Sequence, residues 1–380
     1  KDKFSLDDNM IRPYLKLENV RHGMFLFPNM LYGITFTAID SIPLPHPEAE
    51  AFECKDKDGA HLGVLYLDYF PRASKRGGAW CGQYRRQTYK DGQKVAPVVT
   101  IVCNFTKPAA GQPALLTADE ASTMFHEFGH ALHNLFRNVR YYGTSGVARD
   151  FVELPSQINE HWTFEPEMLK EYAKHYETGE VIPTELVDRL TECGKYGQGF
   201  ATTEYLAASL LDMDFHTLKQ IPEGFNVVDF EQQTLGKRGL LKQIPPRYRT
   251  TYFNHTMGGG YTAGYYSYLW SEVLDADAFG LFLEKGIFDR NTAESFRREI
   301  LSKGGTCDPM RLYVNFRGKE PDIKALLKRN EIELPQEIAE RKQKELDTRY
   351  LRMAQIWSEN SYCQRRQVGA LVVKDKMIIS

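Results

Sequence analysis

The chain has 380 residues, with 48 lysines and arginines against 50 aspartates and glutamates. That length suits one large core or two to three ordinary ones at roughly 150 residues each, and the near-neutral charge gives no reason to expect nucleic acid or a charged membrane surface as partner. Six scattered cysteines without a C-x-x-C pair suit reduced thiols, and no stretch reaches the roughly 18 apolar residues of a transmembrane helix, so a cytoplasmic location is expected. The chain opens Lys-Asp-Lys without a methionine or a signal pattern, and its natural start is expected to lie upstream.

In chain order, the first part reads as mixed loop and strand. His61–Phe70 and Val95–Phe105 are β-branched and aromatic, each preceded by a Lys-Asp-Gly turn signal, and predict a small sheet. Between them, SKRGGAWCG (Ser74–Gly82) reads as a turn and not a phosphate cradle, since no Gly-Lys-Ser/Thr ending follows. From Thr117 to about Leu334 the pattern is helical. Thr117 and Glu120 form a capping box that opens a helix running to Phe136. Further periodic stretches span Phe151–Trp162, Pro183–Leu211, Tyr266–Glu284 and Thr292–Lys303. Composition shifts at Pro335, which predicts a linker over 335–345 and a second, incomplete unit over 346–380, with a charged helix (Gln336–Tyr362) followed by strand.

The Thr117 helix carries FHEFGHALH. His126 and His130 are one turn apart on nearly the same face, so both imidazoles can address one ion, and Glu127 is adjacent. This is the H-E-x-x-H arrangement, in which two histidines bind zinc and the glutamate takes a proton from water. A buried helix with ordinarily hydrogen-bonded histidines is the rival reading of so short a pattern. Met124, Phe125, Phe128, Leu132, Leu135 and Phe136 seat the helix in a core. Gly129 costs about 1 kcal/mol there relative to alanine, which predicts a close approach by another element. His133 reads as a neighbour of the site.

A catalytic zinc takes three protein ligands and leaves one position open. RDFVELPSQINEHW (Arg149–Trp162) offers Glu153, on a stretch where Phe151, Leu154, Ile158 and Trp162 face inward and Pro155 is tolerable only in a first turn. Glu160 and Glu165 compete with it, or are surface charge. Further on, NHTMGGGYTAGYYSYLW (Asn254–Trp270) places tyrosines after three glycines. Tyrosine hydroxyls can stabilise charge developing on a carbonyl oxygen, and the glycines can hinge a closing loop. An aromatic core stripe is the alternative, and the preferred one for Tyr266.

Together and in the same order, GGAW, VCNFTKPAAGQPALL, FHEFGHALH, RDFVELPSQINEHW, HTMGGGYTAGYYSYLWSEV and FRGKEPDIKALL resemble the thimet oligopeptidase family of zinc peptidases, and within it the peptidyl-dipeptidase branch. The resemblance covers about residues 4–334, which would form the C-terminal half of the family's chain. It implies a mainly α, zincin-like multi-helix catalytic region with a small β-sheet. It implies one zinc ion on His126, His130 and Glu153, with Glu127 as the base that later returns its proton to the leaving amine. Tyr261 and Tyr268 become the oxyanion donors and His255 a substrate-binding group, with Tyr265, Gly259 and Gly260 as peptide contacts. The implied substrates are short peptides, losing dipeptides from a free C-terminus. Internal cleavage, or an inactive zinc-binding fragment, are the alternatives. A monomer that binds neither nucleic acid nor membrane is expected. Recognition of a free carboxylate favours a basic residue, for which Arg247 and Arg249 are candidates beside their plainer reading as surface arginines.

The tail from Glu345 resembles the opening helix and first strand of the deoxycytidylate deaminase family. Zinc in that family needs an H-x-E and a P-C-x-x-C segment. No histidine follows His255 and Cys363 is the tail's sole cysteine, so deamination by this chain is excluded on ligand count.

Overall fold

The computed structural model describes residues 6–332 continuously and, beyond them, 337, 340–345, 348, 352, 372–374 and 377–379. Two compact units divide at Leu326/Leu327.

The first unit opens with α1 (Asp8–Ile11) and α2 (Leu17–Tyr32). Leu17, Val20, Met24, Phe27 and Leu31 recur at helical spacing and are buried, and the helix stops at Gly33, whose φ of 75° only glycine adopts without strain. This helix corrects the expectation of loop and strand in the first part. Its signal was masked by Gly23 and Pro28, both of which normally mark breaks. Gly23 is there because the Tyr172 ring passes where a Cβ would stand, with its Cδ1 at 2.4 Å.

A mixed sheet follows, built from β1 (Thr35–Ala38), β2 (Glu50–Lys55), β3 (His61–Asp68), β4 (Trp80–Arg85) and β7 (Val98–Val102), in the order β1-β2-β3-β7-β4. β3 and β7 are parallel and the other pairs antiparallel. β5 (Thr88–Lys90) and β6 (Gln93–Val95) form a hairpin whose turn residues Asp91 and Gly92 both have positive φ, 51° and 78°. β3 and β7 lie within the two expected strands; β1 and β2 carried no signal of comparable strength. Lys75 anchors the glycine-rich loop ahead of β4. Its buried ammonium donates to Asp68 Oδ1 at 2.9 Å, to the Phe70 carbonyl at 2.8 Å and to the Cys103 carbonyl at 2.6 Å.

The remainder is helical: α3 (Ala118–Leu135), α4 (Leu154–Glu160), α5 (Pro166–Tyr172), α6 (Thr184–Lys195), α7 (Gln198–His216), α8 (Val227–Lys237), α9 (Asn254–Met257), α10 (Ser267–Lys285), α11 (Arg290–Phe296), α12 (Pro309–Arg317) and α13 (Lys324–Arg329). The stretch expected over Pro183–Leu211 is two helices, broken where Gly197 turns left-handed at φ 78°. The one over Thr292–Lys303 is α11 running into a π-helical turn at Arg297–Leu301. The core joins these elements through aromatic contacts. Phe27 stacks on Phe125 and Trp162 at 5.6 and 5.7 Å between centroids, and Trp162 meets Phe279 and Phe282 edge-on at 5.1 Å. Mainly α with a small sheet is therefore the fold. No helix among the described residues is long and apolar enough to cross a membrane.

In the second unit, residues 340–345 are helical and Val372–Lys374 pairs antiparallel with Met377–Ile379. Of the linker expected over 335–345, residues 337 and 340–345 are described and are helical, and most of the deaminase-like segment over 346–380 lies outside the described residues.

Helices α3 and α4 pack closely at Gly129. A Cβ there would stand 2.2 Å from the Pro155 carbonyl oxygen and 2.6 Å from the Ser156 Cα, so α3 and α4 touch backbone to backbone. Gly129→Ala is expected to lower stability by about 1–3 kcal/mol in denaturant titrations, as overpacking does. Gly143→Ala, where nothing lies within 4 Å, should stay within about 0.5 kcal/mol of the parent.

Candidate metal centre

The Thr117–Glu120 capping box is complete, with the Thr117 hydroxyl accepting from the Glu120 amide at 3.0 Å and the Glu120 carboxylate from the Thr117 amide at 2.9 Å. It fixes the start, and hence the phase, of α3. One face then sinks into the core, while His126 and His130 keep 21 % and 16 % of their side chains exposed. Their Nε2 atoms lie 3.3 and 3.2 Å from a single oxygen, Oε2 of Glu153. Among the described residues these three are the group of His, Cys, Asp or Glu donors close enough to share an ion. The separations match the roughly 3.3 Å edge of a tetrahedron with bonds of about 2.0–2.1 Å, so the donor set fits a small divalent cation.

Glu153 caps the start of α4, where Pro155 lacks an N–H that would be unpaired anyway. Ser156 Oγ donates to the Glu153 carbonyl at 2.8 Å and to its Oε2 at 3.0 Å. Burial alone would raise the Glu153 carboxyl, but the charges and hydrogen bonds of His130 and His126 hold it well below the ordinary range. Burial conversely pulls His126 down, and its hydrogen bonds to Glu153 and Glu160 lift it above its ordinary value.

Glu160 stands where the sequence left it undecided. Its Oε1 lies 2.6 Å from His126 Nδ1, so it orients the imidazole from behind. The legible signal was its position seven residues after Glu153, two helical turns on the same face. Glu165, the other competitor, lies at the start of α5 outside this cluster. His133 is buried, and burial followed by the charges of Arg137 and His130 keeps it neutral. Glu127 is 6 % exposed and its Oε2 has no hydrogen-bond partner. Burial raises its pKa, partly offset by His130 and His126.

The tyrosine segment meets this cluster from the other side. The Tyr261 hydroxyl donates to Glu153 Oε1, and its ring stacks on Tyr268 at 5.1 Å. The His255 ring is 6.0 and 6.2 Å from those two rings, and its Nδ1 is buried without a partner. Tyr265, 3 % exposed, packs behind them with Phe253 and Ala208. Gly260 adopts φ 89°, and a Cβ on Gly259 would meet the Asn254 carbonyl at 2.7 Å, so both glycines are required by the turn. Arg249 pairs with the buried Glu231 at 3.3 Å, and Arg247 lowers the His255 pKa after burial does. Neither reaches the three metal donors. Arg149 does come close, with its guanidinium 4.5 Å from the Tyr261 ring centroid.

Two positioning groups had no sequence signal. Asp212 on α7 is fully buried and accepts from the Ala263 and Tyr265 amides, both at 3.0 Å, holding Ala263 at φ 50°. Gln157 on α4 donates to the Tyr268 carbonyl at 3.1 Å.

Glu160→Ala is expected to weaken zinc binding about 10–100-fold, the usual effect of losing such a partner, as measured by competition with a chromophoric chelator. Unfolding of the metal-free protein should change little, since the Glu160 side chain is 39 % exposed.

Comparison with known proteins follows the same geometry. Residues 1–332 match the peptidase family M3. The chain is 44 % identical over 331 residues to a dipeptidyl carboxypeptidase of Salmonella typhimurium and, equally, to that of Escherichia coli, covering 86 % of this chain and 48 % of each relative. It is 40 % identical over 336 residues to oligopeptidase A of Escherichia coli, covering 85 % of this chain and 48 % of that one. The chain thus spans about half the length of the curated relatives it matches. The matched stretch includes both metal-site helices and the tyrosine segment, and the chain belongs to peptidase family M3.

Proposed function

We propose that this chain carries the hydrolytic centre of a zinc peptidase that trims short peptides from a free C-terminus, two residues at a time, as a cytoplasmic monomer. The observation that carries the reading is the convergence of His126, His130 and Glu153 beside a buried, unpartnered Glu127. The 44 % identity to proteins named dipeptidyl carboxypeptidase supports the exopeptidase form.

Two imidazoles and a carboxylate suit zinc, which when bound supplies a Lewis acid that polarises the peptide carbonyl and acidifies water. The protein's own part divides among four groups. Glu127 accepts the proton of the attacking water and delivers it to the leaving amine. Its raised pKa brings its proton affinity nearer neutrality, where a group can do both. Tyr261 and Tyr268 donate hydrogen bonds to the carbonyl oxygen as it gains charge. Burial and then the Glu153 charge raise both phenols well above their ordinary value, so they stay protonated donors. His255, kept neutral by burial and then Arg247, offers an uncharged imidazole to the peptide.

A second reading, cleavage inside oligopeptides, has the 40 % identity to oligopeptidase A in its favour. One synthetic nonapeptide, free and C-terminally amidated, incubated with the zinc-loaded chain and followed by mass spectrometry, separates the two. Stepwise dipeptide loss from the free peptide alone is the expected result, while internal cuts in both would establish the second reading. Zinc retained without any cleavage would mean that this chain binds the metal but lacks part of the machinery.

Glu127→Gln should retain zinc and lower kcat at least about 10²-fold. It should also stabilise the metal-free protein at neutral pH. The Glu127 pKa is higher folded than unfolded, so its favourable contribution is complete below the unfolded value of about 4.3 and is lost as pH rises through the folded one. Glutamine removes that loss. The two unfolding midpoints should coincide near pH 3 and separate above it, with the variant higher.

A further inference from the structure

Arg137 lies two residues beyond the end of α3. It is 5 % exposed, its Nε is sealed from solvent without an acceptor, and among the described residues no hydrogen bond or ion pair reaches its guanidinium. A buried, unpaired guanidinium is costly, so stability does not account for it.

Two cross-links fix its surroundings. Asn134 Nδ2 lies 3.7 Å from Cys81 Sγ. Five residues on, Val139 is held by both backbone groups, its amide donating to Gln87 Oε1 at 2.8 Å and its carbonyl accepting from Gln87 Nε2 at 3.2 Å. Arg137 sits between Asn134 and Val139 on one side of this ladder, and Gln83 and Arg86 sit between Cys81 and Gln87 on the other. Gln83 is two residues from Cys81, on the same face of β4, and its buried Oε1 has no donor. Arg86 is exposed, lies 5.4 Å over the Tyr142 ring, and also has no carboxylate partner among the described residues. Burial, and then the charge of Arg86, push Arg137 down to about 10, so Arg86 stands near enough for its charge to be felt.

We propose that Arg137 and Arg86 bind a carboxylate anion, with Arg137 as the floor of the site, Arg86 as its rim and Gln83 as a polar wall. The planar guanidinium fork matches the two oxygens of a carboxylate. Gln83 Oε1 suits an N–H preceding that carboxylate. The site is separate from the metal centre, since Arg137 follows His130 by seven residues, roughly 10 Å at the helical rise. Two sources share the chemistry, a free organic acid and a peptide C-terminus. Acetate and N-acetylglycine represent them, with N-acetylglycinamide as the uncharged control.

The test is the thermal unfolding midpoint of the zinc-loaded chain against each probe, for the parent, Arg137→Met and Arg86→Gln. General salt effects and binding at the metal are common to all three proteins, so differences between them isolate the site. The parent midpoint should rise by roughly 2–4 °C at about ten times the dissociation constant. Arg137→Met should begin above the parent in anion-poor buffer, because it removes an unpaired buried charge, and should not respond. Arg86→Gln, at an exposed position, keeps the fold and should need several-fold more anion. Tighter binding of N-acetylglycine than of acetate identifies a peptide end as the ligand, and equal binding identifies a free acid. Parallel responses in the parent and Arg86→Gln overturn the proposal even if Arg137→Met does not fold, as does a response of the parent to the uncharged control equal to that for the acids.

Discussion

The backbone contact between α3 and α4 at Gly129 is the constraint on which the centre depends. Two of the candidate ligands come from one helix and the third from the start of the other, and their donor atoms meet at 3.2 and 3.3 Å. A side chain at position 129 would meet the Pro155 carbonyl and push α4, and Glu153 with it, away from the two histidines. Removing the side chain at Gly129 brings the Pro155 carbonyl against α3, and Glu153 then reaches both histidines. Pro155 contributes in a second way, since its fixed φ in the first turn suits the start of α4 directly after Glu153.

Around that contact, the buried polar groups divide into those that are satisfied and those that are not. Glu153 receives hydrogen bonds from Ser156 and Tyr261 as well as the two histidines, and Glu160 meets the far nitrogen of His126. Glu127 Oε2 and His255 Nδ1 have nothing. Buried polar atoms without partners are rare because each forfeits its hydration. Their appearance together beside the donor set fits the hydrolytic role proposed for them, because reacting groups must be free to change partners.

The sequence carried the local part of this arrangement and little of the non-local part. The turn-spaced histidines, the capping box and the glycine between the histidines are all consequences of helical periodicity, and all could be read along one segment. Glu153 could be set above Glu160 and Glu165 only through the family resemblance of the segment that carries it. Glu160 was visible but ambiguous, since a half-exposed glutamate looks the same whether it faces water or an imidazole. Asp212 was beyond reach, because its partners are backbone amides some fifty residues away and leave no pattern in side-chain identity. The missed helix α2 failed for the opposite reason. Its Gly23 and Pro28 are local breaker signals that tertiary packing overrides.

The attachment of the tyrosine turn to Asp212 has a consequence for how such a centre can diversify. The metal donors rest on α3 and α4, whereas the turn that presents Tyr261 and Tyr265 is tied by its amides to α7. Ion affinity and the placement of hydroxyl donors are thereby assigned to different parts of the fold. Substitutions along α7 would therefore move the hydroxyl donors first, and would reach the histidine–glutamate cluster through the hydrogen bond of Tyr261 to Glu153.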